Sequence, residues 1–428
     1  MTINGDTRFM NQAHPDFFDP QTIKDHIAHT MAFYHPRAVD PRGGFYHFFR
    51  DDGSVYDRET RHLVSSTRFV FNYAMAHRHF GGSEYLPMVR HGLAFLRDVH
   101  RNPETGGYAW LLRRHDRQTE VLDASNHCYG LAFVLLAYAH AVMAGVDEAR
   151  PWLDETWALM ERRFWEPQHG LYADEASGDW SQRSSYRGQN ANMHSCEAML
   201  AAFAATGEQH WLERAETIAW NITRRQAAYG DGMIWEHYRA DWTPDWDYNR
   251  EDPANLFRPW SYQPGHFTEW AKLLLQLERH EDRLTRGGHW LLPTAQALFE
   301  QAVGHAWDPR HGGIHYGFAP GGQVCDADKY FWVQAESLAA AALLADRSGD
   351  ASYWDWYRKL WEYAWTHFVD HEHGAWYRIL TADNRKISDE KSPAGKTDYH
   401  TMGACYDVLP LLARRLGRQD SLSGLRTE

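Results

Sequence analysis

Six short glycine-aromatic phrases recur along the chain and constrain its fold more than any other feature. They begin at Gly43, Gly106, His169, Asp231, His311 and His373. Four of the five intervals between them are about sixty residues and one is nearer eighty, a period typical of repeated supersecondary units. A glycine followed by alternating aromatic residues predicts a tight turn that leads into a short β-hairpin.

Two kinds of helical pattern lie between successive phrases. One is amphipathic, as in residues 84–100 and 354–368, and should form an outer layer. The other is apolar nearly all round, as in residues 130–145 and 336–349, and such helices are normally buried. Six outer and six inner helices in alternation predict an all-α (α/α)6 barrel, built as a single domain over residues 1–428. An open helical solenoid is the alternative. We favour the closed barrel because the repeats stop at six.

The predicted hairpins place one end of the barrel as the candidate active site. Each hairpin follows an outer helix and precedes an inner one, so all six hairpins and all six inner-helix N-termini share that end, where a pocket is expected. The regular spacing of polar side chains at these N-termini makes their convergence plausible. These side chains are Arg61, His62, Asn126, His127, Asn190, His194, His266, Lys329, Trp332 and His400.

The amino-acid composition and net charge limit the classes of molecule that the protein is expected to bind. The 20 Trp, 22 Tyr and 20 Phe suit a wide core and also suit stacking against the C–H faces of sugars. A formal charge of -13 argues against nucleic acid or an anionic membrane, because phosphate binding requires a concentrated basic surface. The partner is therefore expected to be neutral or small. We expect the protein to be a monomer or a homodimer.

Cysteine usage and the N-terminal sequence predict a cytoplasmic protein. The four cysteines are scattered without a close pair, which indicates reduced thiols. The first twenty residues lack a basic start followed by an apolar run, and no stretch is apolar enough to span a bilayer. The motifs GxGxxG, GxSxG and HExxH and the P-loop are missing from the sequence, so nucleotide, serine-hydrolase and zincin chemistry have no direct support.

Two His-x-x-Glu pairs, His194 with Glu197 and His266 with Glu269, place imidazole and carboxylate on the same helix face. They are either local hydrogen-bonded pairs or proton-transfer groups in which the carboxylate holds one tautomer. Helical pairs of this kind also build metal sites. We predict no metal, because no further cluster of acidic ligands is evident. His400, at the start of the last inner helix, is either a locally bonded histidine or a catalytic one.

Arg68 and one long connection are further candidates. Arg68 lies in an apolar inner-helix pattern, where it must be paired or face a polar cavity, because burying it alone is costly. There it could polarise a carbonyl or enediolate oxygen. The connection over residues 234–263 is rich in Trp, Pro, Asp and Asn, and predicts a lid or specificity wall.

Four strings carry a family resemblance that extends in order over nearly the whole chain. RGQNANMHSCEA, RPWSYQPGHFTEWAKLL, KYFWVQAES and DYHTMGACYDV resemble the N-acylglucosamine 2-epimerase superfamily, and within it the bacterial aldose–ketose isomerase and mannose isomerase branch. The resemblance implies an (α/α)6 barrel and a cofactor-free interconversion of aldoses and ketoses through ring opening and a cis-enediol.

The resemblance also implies roles. His400 matches the base that moves a proton between carbons 1 and 2, and His266, supported by Glu269, matches the histidine of ring opening or of the second proton transfer. Arg68 matches the arginine near the reacting oxygens. The sugar-binding candidates are Asn190, His194, Glu197, Trp332 and Glu336, to which we add Tyr129 near the start of the second inner helix.

The expected activity is interconversion of D-mannose and D-fructose, with D-lyxose and D-xylulose as a second pair. The alternatives are 2-epimerisation of mannose, glucose or cellobiose, and an inverting glycosidase. The glycosidase would require two opposed carboxylates, for instance among Glu197, Glu236, Glu269 and Glu336. A non-catalytic sugar-binding barrel is the remaining class, for which the repeated His and Glu pairs would be superfluous.

Overall fold

The computed structural model describes residues 14–116, 118–252, 255 and 258–424. Twelve α-helices occur in this part of the chain, six outer and six inner in strict alternation. The outer helices are α1 (Pro20–Tyr34), α3 (Tyr85–Phe95), α5 (Arg150–Arg163), α7 (Gln209–Trp220), α9 (Leu291–Ala306) and α11 (Ala351–His367). The inner helices are α2 (Leu63–Phe80), α4 (Cys128–Met143), α6 (Gln189–Thr206), α8 (Pro264–Glu278), α10 (Phe331–Ser348) and α12 (Tyr399–Gly424).

Sixteen short strands occupy the connections that run from outer to inner helices in the described residues. Those of the first half are β1 (Phe48–Arg50), β2 (Val55–Asp57), β3 (Thr60–His62), β4 (Leu111–His115), β5 (Gln118–Asp123), β6 (Asn126–His127), β7 (Trp165–Glu166) and β8 (Leu171–Tyr172). Those of the second half are β9 (Glu175–Ala176), β10 (Arg187–Gly188), β11 (His237–Tyr238), β12 (Gly317–Phe318), β13 (Val324–Asp326), β14 (Lys329–Tyr330), β15 (Ile379–Leu380) and β16 (Glu390–Ser392).

Burial separates the two helix layers as the sequence patterns predicted. Inner helix α10 is buried along almost its whole length, whereas outer helix α11 buries only one face. A single residue pair joins them: Gly349, in the left-handed conformation at φ 74°, ends α10, and the side chain of Asp350 accepts a hydrogen bond from the Ser352 amide to start α11. The aromatic residues fill the space between the layers, and Trp211, Trp235, Trp270, Trp361 and Trp376 are fully buried.

Short antiparallel ladders connect each repeat to the next and close the ring. The segment that leads into each inner helix pairs with the following repeat. The first three pairs are β3–β4, β6–β9 and β10–β11, the fourth is a bridge between Tyr262 and Phe318, and the fifth is β14–β15. The sixth ladder pairs β16 with β1, the end of the barrel with its beginning. Tyr34 Oη also donates to Asp398 Oδ2 across the seam at 2.6 Å. This closure excludes the open solenoid, and the predicted (α/α)6 fold class is confirmed.

The glycine-aromatic phrases form the predicted turns at five of the six positions. Antiparallel pairs close these turns at Val39–Phe45, Arg101–Tyr108, Trp165–Tyr172, Trp307–Ile314 and Val369–Trp376. Each of these turns contains a glycine with positive φ, for example 74° at Gly106 and 90° at Gly374, which only glycine reaches without strain. The fourth phrase differs, because a 3₁₀ turn (Ala227–Gly230) precedes its strand. None of the described helices has the length and apolarity needed to cross a membrane.

Candidate active site

A cavity of about 370 Å³ opens at the end of the barrel where the inner helices begin. Eight of the predicted site residues line it together: Arg68, Tyr129, Asn190, His194, His266, Glu269, Trp332 and His400. The other two residues with an assigned role, Glu197 and Glu336, lie one layer deeper, where they hydrogen-bond the cavity histidines. The ten residues come from α2, α4, α6, α8, α10 and α12, so every inner helix contributes to one site. Arg61, Asn126 and Lys329 were also expected here but do not line the cavity, because Arg61 and Lys329 pair with aspartates and Asn126 bonds backbone groups.

His400 is held by Glu336. Its Nδ1 lies 2.7 Å from Glu336 Oε1, and both side chains are buried. An ionised carboxylate can only accept a hydrogen bond, so Nδ1 carries the hydrogen and Nε2 is left as an unprotonated nitrogen. Burial, with a smaller contribution from the guanidinium of Arg68, holds the pKa of His400 well below its ordinary value. The imidazole is therefore neutral near pH 7 and able to accept a proton.

His194 forms the predicted pair with Glu197, at 2.8 Å from its Nδ1 to Glu197 Oε2. Burial lowers the pKa of His194, while the carboxylate opposes this shift. Burial alone would raise the pKa of Glu197, but His194, Lys272 and Tyr399 together outweigh it and the pKa falls to about 2. Tyr399 Oη donates to the other oxygen of Glu197. The rings of His194 and His400 have their centroids 6.3 Å apart, so two neutral imidazoles lie next to each other in the cavity.

The partner of His266 is Glu236, which corrects the predicted pairing with Glu269. His266 Nδ1 lies 2.9 Å from Glu236 Oε1, and Gln189 Nε2 donates to Glu236 Oε2, also at 2.9 Å. Helix spacing places Glu269 on the same helix face as His266, but the long connection after α7 brings the carboxylate of Glu236 closer to the His266 ring. A signal for Glu236 did exist in the sequence, since it lies in the fourth glycine-aromatic phrase, at the barrel end already marked as the site.

Glu269 instead lies on the floor between the other groups. It is 1% exposed, and neither carboxyl oxygen has a hydrogen-bond partner among the described residues. One oxygen is 3.9 Å from His194 Nδ1. Burial, reinforced by the negative charge of Glu336, raises the pKa of Glu269 well above its ordinary value. Burial thus favours the protonated form of Glu269, which can both donate and accept a proton.

Arg68 brings a positive charge to the cavity. Its Nη1 donates to the Gly395 carbonyl at 2.5 Å and its Nη2 to Tyr129 Oη at 3.2 Å. The guanidinium lies over the rings of Phe133 and Tyr399, at 4.4 and 4.8 Å from their centroids. It has no carboxylate partner within the described part of the chain, although it is only 5% exposed. A buried cation without a protein anion is available to a developing oxyanion.

Aromatic side chains and the long connection complete the walls. The Trp332 ring lies against both His266 and His400, with centroids 5.0 and 5.8 Å away. The predicted lid, residues 234–263, supplies Glu236, His237, Arg258 and Pro259 to the cavity. Its residues 253, 254, 256 and 257 lie outside the described residues. Arg258 pairs with Glu175 and covers the Tyr186 ring at 3.9 Å, which ties the connection across the cavity mouth.

Two overlapping groups of donor atoms lie close enough to hold a metal ion: His194, Glu197 and Glu269, and Glu269, Glu336 and His400. Every member except Glu269 already has a protein hydrogen-bond partner. In addition, Lys272 Nζ lies 2.6 Å from Glu336 Oε2. A cation would therefore have to displace existing bonds and lie beside an ammonium group. The prediction of a metal-free and cofactor-free site stays a prediction.

Comparison with known proteins assigns the family. The model of the N-acylglucosamine 2-epimerase (GlcNAc 2-epimerase) family matches residues 43–404. The chain belongs to this family. The resemblance found in the four sequence strings is confirmed.

Similarity within the family is high. A D-mannose isomerase of Marinomonas mediterranea is 54% identical over 401 residues, which are 94% of this chain and 99% of the relative. A crystal structure of a D-mannose isomerase superposes with a TM-score of 0.89 at 54% identity, over 93% of this chain and 100% of the other. A cellobiose 2-epimerase from Spirochaeta thermophila shares the fold, with a TM-score of 0.80 at 22% identity over 94% of this chain and all of the other.

Proposed function

We propose that this protein is an aldose–ketose isomerase that interconverts D-mannose and D-fructose. The observation that supports it most directly is one neutral imidazole, His400, fixed through Nδ1 by the buried carboxylate of Glu336, in a monosaccharide-sized cavity that also holds the buried guanidinium of Arg68. The high identity to a protein named D-mannose isomerase over nearly its whole length agrees with this activity. D-Lyxose and D-xylulose are the second substrate pair to test.

His400 is the base in this proposal. Its free Nε2 takes the proton from carbon 2 of the open-chain aldose, the C–H electrons form the C1–C2 double bond, and the carbonyl electrons move to oxygen 1. The imidazolium then returns the proton to carbon 1 as the carbonyl forms at carbon 2. A single base that serves both carbons on one face of the enediol gives isomerisation.

Arg68 and Glu269 act on oxygens 1 and 2 of the sugar, Arg68 by stabilising negative charge and Glu269 by relaying a proton. The guanidinium of Arg68 is already desolvated, so it stabilises the enediolate without reorganising water. The hydroxyl proton must also move from oxygen 2 to oxygen 1. A neutral Glu269 with two unpartnered oxygens can donate to one and accept from the other, which makes it the proposed relay.

His266 is proposed to open the sugar ring. Its Nδ1 is fixed by Glu236, so Nε2 faces the cavity, next to the Trp332 ring. Ring opening removes a proton from the anomeric hydroxyl and gives one to the ring oxygen, and a histidine of this kind can carry the proton between them. Asn190, whose Oδ1 has no hydrogen-bond partner in the described residues, is left to bind a sugar hydroxyl.

A second candidate function is 2-epimerisation, favoured by the position of His194. If the enediol lay between His194 and His400, one ring could remove the carbon 2 proton and the other could return a proton to the opposite face. The inverting glycosidase is disfavoured, because three of its four candidate carboxylates, Glu197, Glu236 and Glu336, are committed to histidines.

One experiment separates these outcomes. The protein is incubated in deuterated water with chelator and, separately, with mannose, fructose, glucose or cellobiose, and products are read by NMR. Isomerisation predicts ketose formation from mannose, and deuterium at carbon 1 of the ketose to the extent that the base exchanges its proton with solvent. Glucose formed from mannose would favour epimerisation, and cleaved cellobiose would favour hydrolysis. His400→Ala should abolish turnover with an unchanged circular dichroism spectrum, and retained turnover would remove His400 as the base.

A further inference from the structure

A second cavity, of about 320 Å³, lies behind the catalytic histidines along the barrel axis. Its walls come from later turns of the inner helices than the walls of the first cavity. Glu197 and Glu336, the carboxylates that hold His194 and His400, line this second cavity. The two histidine–carboxylate pairs therefore form part of the partition between a substrate chamber and a rear chamber.

Lys272 is the cation that meets these carboxylates from behind. Its side chain is 5% exposed, and its Nζ lies 2.6 Å from Glu336 Oε2 and 3.7 Å from Asp407 Oδ2. Burial works against the charge on Lys272, yet the surrounding carboxylates, Glu336 first and Asp407 next, raise its pKa above the ordinary value. The ammonium group is therefore fully charged at pH 7.

Titratable groups reach this region from every inner helix. They are Arg68 and Arg78 on α2, His140 on α4, His194 and Glu197 on α6, Glu269 on α8 with Arg279 and His280 just after its end, Glu336 on α10, and Tyr399, His400, Tyr406 and Asp407 on α12. Of the basic groups among the described residues, only Lys272 forms an ion pair with Glu336 Oε2, the oxygen that does not contact His400. The charge of this carboxylate thus depends on one neighbour more than on the rest.

The protonation state of Glu336 decides which nitrogen of His400 is free. An ionised Glu336 accepts from Nδ1–H and leaves Nε2 as the base, whereas a protonated Glu336 donates to Nδ1 and places the hydrogen on Nε2. Burial raises the pKa of Glu336, and Lys272 opposes that shift. Without the ammonium group, the buried carboxyl would hold its proton and the base would be lost.

We propose that Lys272 is a positioning residue, which keeps Glu336 ionised and so fixes His400 in the tautomer whose Nε2 is free. The reaction assigned to His400 rests on the proposed function, but the tautomer does not. Asp407, which lines the rear chamber, weakens the stabilisation of ionised Glu336 by Lys272, because its negative charge competes with Glu336 for the same ammonium group.

Three variants test the inference. Lys272→Met should move the acid limb of the kcat profile up by about one pH unit or more, which lowers kcat at least about tenfold at pH values below the wild-type limb, with little change in KM. Lys272→Arg should restore the acid limb. Asp407→Asn should move the limb in the opposite direction, to lower pH, because it removes a negative charge near Glu336. Lys24→Met, on the exposed face of α1, is the matched control for loss of a lysine charge.

A readout without substrate separates this inference from the proposed reaction. In ¹⁵N-histidine NMR, the His400 signal, assigned by its loss in His400→Gln, should show the Nδ1–H form in the wild type and the Nε2–H form in Lys272→Met. Asp407→Asn is also tested for this signal, so the question stays answerable if Lys272→Met does not fold. An unchanged tautomer in folded Lys272→Met, or an acid limb that moves the same way in both variants, would overturn the proposal.

Discussion

Gly265→Ala should damage the active site through one added methyl group. Gly265 lies in the first turn of α8, directly before His266. A Cβ at this position would lie 2.5 and 2.7 Å from two ring carbons of Trp332 and 2.8 Å from Val333 Cγ2. Ordinary carbon–carbon contacts are about 3.5–4.0 Å, so the Trp332 ring must move by about 1 Å.

The expected size follows from two opposing effects. Overpacking of this kind costs about 1–3 kcal/mol, while replacing glycine by alanine in a helix returns about 1 kcal/mol. We expect a net loss in the free energy of unfolding of up to about 2 kcal/mol. The effect on activity should be larger, because Trp332 packs against both His266 and His400. A displacement of about 1 Å near reacting groups costs on the order of 100-fold in rate.

Urea unfolding and the kcat/KM for mannose measure the two effects separately. Gly304→Ala is the matched control, since Gly304 lies in α9, is exposed, and has open space where a Cβ would be. It should stabilise the protein by about 0.5–1 kcal/mol and leave kcat/KM unchanged. Wild-type activity and stability in Gly265→Ala would refute the argument that this contact positions the aromatic wall.

Two further predictions concern histidines. Glu236→Gln should lower kcat about 100-fold, because it removes the anion that holds His266. Glu372, whose side chain is 83% exposed, provides the control, since Glu372→Gln should leave kcat unchanged. Equal effects of the two variants in steady-state assays would reject the pairing of His266 with Glu236. Burial lowers the pKa of His26 to about 4, so its neutral form contributes stability above pH 6.5 that is lost as the pH falls towards 4. His26→Gln, which keeps an acceptor for Trp376 Nε1, should reduce the loss of unfolding free energy between pH 7 and pH 5 by about 2 kcal/mol, and an unchanged loss in urea titrations would contradict it.

Local periodicity was sufficient to predict the helix layers and the end that carries the site. The all-round apolar pattern of α10 and the one-sided pattern of α11 translate directly into buried and half-buried helices, because helical side-chain spacing is set by covalent geometry. The same regularity placed His194, His266 and His400 near the starts of the third, fourth and sixth inner helices. That these positions open on one cavity follows from repeat symmetry once the ring is closed.

Pairings between distant segments could not be predicted in this way. The spacing of His266 and Glu269 is identical to that of His194 and Glu197, yet only the second pair forms, because the connection after α7 delivers Glu236 to His266. In the sequence, Lys272 is one polar residue within the apolar pattern of α8. Its partners Glu336 and Asp407 lie on two other helices, α10 and α12, so local spacing does not indicate these contacts.

The sequence by itself determined the repeating helix pair, the turn glycines and the residue types available for proton transfer, because each depends on neighbours within a few positions. The tertiary structure decided which carboxylate holds each histidine and which carboxyl remains neutral. Those outcomes depend on distances of a few ångströms between separate helices and on exclusion of water, which raises the pKa of Glu269 and keeps His400 unprotonated only after the barrel has closed.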